Sequence, residues 1–75
     1  MTEILISRVV EICNILGLSD LDIWDKFVDA RLGLQGKYSG EKRVEKAIEQ
    51  VAQELNLEKT EAKALYNFLH RKFID

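Results

Sequence analysis

Apolar residues recur along this chain every three to four positions, and the runs break at three similar phrases: Leu16-Gly17-Leu18, Leu32-Gly33-Leu34 and Leu55-Asn56-Leu57. In each, a residue that tolerates a left-handed backbone closes an amphipathic stretch and an apolar residue follows, the sequence form of a Schellman-type helix stop. The phrases divide the chain into four predicted helices, at about 3–16, 20–32, 40–55 and 58–73. The expected fold is all-α, a compact bundle of four helices forming one domain over residues 1–75.

The first helix, with Thr2 as its N-cap and Gly17 as its stop, spreads its apolar residues over about 240° of circumference at roughly 100° per residue. That arc exceeds what one buried face requires. Either this helix lies in the middle of the fold, or one flank packs within the monomer and the other, carrying Ile6 and Val10, packs against a second copy or another protein. Arg8 falls inside the arc, where its stem can lie along the apolar surface while the guanidinium reaches solvent.

Ser19-Asp20-Leu21-Asp22 reads as a capped helix start. In the second helix Leu21, Ile23, Trp24, Phe27, Val28, Ala30 and Leu32 fall on one side, with Trp24 and Phe27 as the expected core anchors. Asp22, Asp25 and Asp29 line the other side with Lys26. Carboxylates along a single helix do not converge on one point, so no metal site is expected. They form a solvated acidic face or a docking surface for a basic partner. Residues Leu34 to Gly40 form the loop of the molecule. It carries Lys37 and Tyr38, and Lys42 and Arg43 follow just inside the next helix, so a phosphate-binding use is conceivable. The glycines lack the spacing of a phosphate-loop fingerprint, and a plain connecting loop is the default expectation. Ser39 is the expected cap of the third helix, whose Val44, Ala47, Ile48, Val51, Ala52 and Leu55 make a clean apolar stripe.

Around the third phrase, Ala52, Asn56, Leu57, Ala62 and Leu65 stand at offsets that resemble the helix-turn-helix superfamily, over residues 48 to 71. Ala52 takes the small position in the first helix, Asn56 the left-handed turn, and Leu57, Ala62 and Leu65 the apolar packing positions. The resemblance implies that the fourth helix would enter the major groove of duplex DNA. On that helix Lys59, Lys63, Asn67, His70 and Arg71 cluster within about 120° in a stripe without acids. Lys59, Lys63 and Arg71 would contact phosphates and Asn67 an adenine edge.

Composition narrows the alternatives. The formal net charge is −2, which argues against indiscriminate nucleic-acid binding, but the excess of acid is confined to the first 34 residues. Cys13, the single cysteine, allows no internal disulfide and is expected to be a buried, inert thiol. No signal peptide or membrane span is evident, so a cytoplasmic location and no membrane partner are expected. No serine has an evident base, and His70 and Cys13 lie on different helices. The chain is therefore expected to be non-enzymatic, with no cofactor and no small-molecule substrate. Two readings remain: a small DNA-binding regulator, dimeric through the first helix, or a protein-interaction module that docks through Ile6 and Val10 or through the acidic face of Asp22, Asp25 and Asp29.

Overall fold

The computed structural model describes residues 5–74 and contains α1 (Ile6–Leu16), α2 (Asp20–Gly33), α3 (Gly40–Leu55) and α4 (Lys59–Phe73). The fold is an all-α four-helix bundle. The expected cap Thr2 and the helical start at Glu3 lie outside the described residues. Leu5, expected within the first helix, is extended at φ −81° and serves as its N-cap without a side-chain bond.

Two of the three phrases stop helices as their sequence implies. Gly17 adopts φ 67° and Asn56 φ 58°. Leu18 N–H then bonds Cys13 C=O at 3.1 Å, and Leu57 N–H bonds Ala52 C=O at 2.8 Å. Both are the long closing bond of a Schellman motif, which gives an orphan carbonyl a partner. The middle phrase does not behave this way: Gly33 is the last residue of α2, and Leu34 ends the helix at φ −99°, ψ 3°. The chain then turns through two bonds of 3.0 Å, from Lys37 and Tyr38 N–H to Leu34 C=O. The left-handed residue of this connection is Gly40, at φ 57°. There the requirement for glycine falls at the start of a helix instead of at the end of one.

Capping differs at the two serines. Ser19 Oγ accepts from Asp22 N–H, and Asp22 Oδ2 accepts from Ser19 N–H, each at 3.1 Å. This reciprocal box fixes the start of α2. Ser39 stands at the N-cap of α3, but its hydroxyl makes no cap bond, and the next residue, Gly40, takes the left-handed conformation.

α2, α3 and α4 pack against one another, while α1 lies mainly against α2. α1 is therefore not central, and only its Val9 and Ile12 are buried. Trp24 and Phe27 anchor the core as expected, with Ile23, Val51, Leu65 and Leu69 around them. Phe27 meets the Tyr66 ring edge-on at 5.3 Å between centroids, a favoured arrangement of aromatic quadrupoles. Leu21 and Leu32, expected on the buried side of α2, are instead exposed. At roughly 100° per residue they stand about 120° and 140° around the helix from Phe27, off the face that Ile23, Phe27 and Ala30 bury.

Candidate functional site

A concave groove of about 770 Å³ lies between the last turn of α2, the first half of α3 and the outer side of α4. α4 contributes Lys59, Lys63, Tyr66, Asn67 and His70 to its wall, and α3 contributes Gly40, Arg43, Val44 and Ile48. Arg31 closes one end from α2. Helical spacing explains the α4 wall: residues 59, 63, 67 and 70 recur at intervals of four and three and so share one face.

Four of the five α4 residues expected to contact nucleic acid are thus brought together. Arg71 is not among the groove residues, since it lies about 100° around the helix from His70. His70 is half-buried, its ring centroid 5.9 Å from both Trp24 and Tyr66. Its imidazole is thus held by the aromatic cluster at the floor of the groove. Lys63 and Asn67 are exposed.

The acid-free character of the α4 stripe does not extend to its surroundings. Lys59 Nζ lies 3.5 Å from Glu45 and 3.7 Å from Glu49 of α3, both within reach of a screened surface ion pair. Within the groove, the cations Arg31, Arg43, Lys59 and Lys63 face the acids Glu41 and Glu45. The local balance is positive although the chain as a whole is acidic.

Arg31 is a groove cation outside the expected site, and Arg43, whose conceivable phosphate use was with the loop before it, stands here opposite α4. Arg31 had a visible signal: it stands four residues after Phe27 and seven after Trp24, a cation on the apolar face of α2. Its Nη1 donates to Tyr66 Oη at 3.3 Å. Arg43 borders the apolar stripe of α3, one residue before Val44, and its role depends on where α4 passes. That position comes from tertiary packing.

The expected partner surfaces are also resolved into parts. Ile6 and Val10 are 69% and 53% exposed, so the second flank of α1 is an open apolar surface in the monomer. Asp25 and Asp29 are exposed, but Asp22 is committed to the cap of α2. That bond from the Ser19 backbone N–H, with the Ser19 hydroxyl, holds the Asp22 carboxyl below its ordinary range. Cys13 is half-buried against the core, and burial pushes its thiol up.

Among the described residues, no group of three or more His, Cys, Asp or Glu side chains could hold a metal ion. No helix among them is long and apolar enough to cross a membrane. No protein-family model matches the chain, and comparison with curated proteins and with solved structures finds no match.

Proposed function

We propose that this protein is a small regulatory protein that binds duplex DNA, and that the groove along α4 seats a strand of the sugar-phosphate backbone. The observation that carries this reading is the gathering of Lys59, Lys63, Asn67 and His70 with Arg31 and Arg43 in one groove of net positive charge. A concave basic surface fits a protruding ridge, and on duplex DNA the protruding ridge is the backbone. Arg, Lys, Asn and Tyr are all side chains that donate to phosphate oxygens. The turn at Asn56 and the packing of Ala62 and Leu65 in the core support the helix-turn-helix resemblance as a local arrangement of α3 and α4.

Phosphate-directed binding is strongly salt-dependent, because each neutralised phosphate releases condensed counterions. With three to four cations engaged, the logarithm of the duplex affinity falls against the logarithm of salt with a slope of about −3. Fluorescence anisotropy with a labelled duplex measures it. A flat salt response, or affinity that survives an Arg43→Glu, Lys63→Glu double substitution, contradicts the reading.

The open flank of α1 supports a second reading, in which Ile6 and Val10 dock a protein or a second copy of the chain. Large, mostly exposed apolar side chains at adjacent turns lose hydration cost when covered. An Ile6→Glu substitution then lowers the assembly size measured by light scattering while helicity is retained. An unchanged assembly rejects that surface.

A further inference from the structure

Among the described residues, the buried side-chain nitrogens and oxygens without a hydrogen-bond partner are Arg31 Nε and Arg43 Nε. They belong to different helices, yet both residues line the α4 groove. Folded proteins leave few buried donors unpaired, and here both such donors belong to side chains that line one groove. Several other cations have carboxylates: Arg8 bonds Glu61 and Glu11, Lys26 bonds Glu54, and Lys72 bonds Asp20. Among the described residues neither Arg31 nor Arg43 is in such a pair. Arg31 has only the neutral hydroxyl of Tyr66, reached through Nη1, which leaves its Nε edge without an acceptor.

We propose that Arg31 and Arg43 form an oxyanion subsite within the groove that takes one phosphate group of the ligand. The inference rests on the reading of this groove as a phosphate-binding face and names the two side chains that fix the ligand's position in it. The chain shows how such an edge is used: Arg8 grips Glu61 side-on through Nε at 2.7 Å and Nη2 at 3.0 Å. A planar carboxylate is satisfied by one such fork. A tetrahedral phosphate offers further oxygens, which suits two forks from separate helices with Lys63 beside them. Because both Nε atoms are sealed in the free protein, binding includes a turn of each long side chain toward the anion.

The test is a titration of the full chain followed through the arginine Nε–Hε resonances, at constant ionic strength held with chloride. Inorganic phosphate and dimethyl phosphate are the probes, with acetate as the carboxylate control. The resonances of Arg31 and Arg43 are assigned from Arg31→Lys and Arg43→Lys variants, which keep the charge and remove the fork. The proposal expects both resonances to move together and saturably with a phosphate probe, and each Lys variant to weaken binding at least tenfold. Saturation by dimethyl phosphate places a backbone diester in the subsite, and saturation by inorganic phosphate alone places a terminal phosphate there. Non-saturating shifts, equal saturation by acetate, or full affinity in both Lys variants overturns it. Duplex binding without phosphate saturation removes the subsite and leaves the DNA reading standing. Phosphate saturation without duplex affinity does the reverse.

Discussion

Arg8 and Glu61, 53 positions apart in sequence, form a bidentate pair, with Arg8 Nε to Oε2 at 2.7 Å and Nη2 to Oε1 at 3.0 Å. The guanidinium expected to reach solvent instead ties α1 to the first turn of α4, while its Nη1 bonds Glu11 at 2.6 Å. This pair matters because α1 has little other purchase on the bundle, being packed mainly on α2. Arg8→Met keeps the apolar stem and deletes the fork. Hydrogen exchange should then accelerate in the amides of α1 while those of α3 remain protected. Equal acceleration throughout the chain contradicts a local tether.

The same pair contributes to a dependence on pH. The hydrogen bond from Arg8 holds the Glu61 carboxyl below its ordinary range, and that from Lys72 does so for Asp20. Asp22 is lowered by the Ser19 backbone N–H. A carboxylate whose folded pKa is depressed contributes stability above its unfolded value, about 4 for these side chains, and loses it as pH falls through the folded value. Thermal midpoints should therefore be level from about pH 7 to 5 and decline below about pH 4. Replacing Glu61 by Gln should shallow that decline. An undiminished acid slope in Glu61→Gln assigns the effect elsewhere.

Asn56 carries the turn between α3 and α4 at φ 58°. Asn56→Ala keeps a β-carbon in the left-handed region but removes the short polar side chain that makes this region tolerable, at a cost of about 1 kcal/mol. Asn56→Gly, free of that strain, should leave the midpoint unchanged or raise it. Denaturant unfolding of both variants checks the order, which is the reverse of the order expected from side-chain packing.

Phe27 is fully buried and meets Tyr66 edge-on. Truncation to alanine removes about 3–5 kcal/mol, comparable with the whole stability of about 3–5 kcal/mol that a core of this size supplies. Phe27→Ala should therefore be largely unfolded at 25 °C by circular dichroism, with Trp24 fluorescence shifted to the red. A cooperative thermal transition close to that of the parent protein contradicts the placement of Phe27 at the centre of the core.

The helices were legible because period and punctuation agree: Gly17 and Asn56 both adopt the left-handed turn that their neighbours imply. Gly33 misled because a helix can end without a left-handed residue, and the special conformation passed to Gly40. The α4 side of the groove was legible from one helix's angular pattern. Its other wall was not, since Arg31 and Arg43 approach Lys63 and Asn67 only after three helices pack. Arg8 and Arg31 teach the same lesson. Each is a cation on an apolar face, and each finds a polar partner on α4, Glu61 for one and Tyr66 for the other.

Backbone amide NMR of the uniformly labelled chain, titrated with a generic DNA duplex at low salt, addresses the proposed binding face most directly. Shifts are expected along Lys59, Lys63 and Asn67 together with Arg43 and the end of α2 at Arg31, fading as salt is raised. Shifts confined to Ile6 and Val10, or no shifts at all, would contradict that binding face.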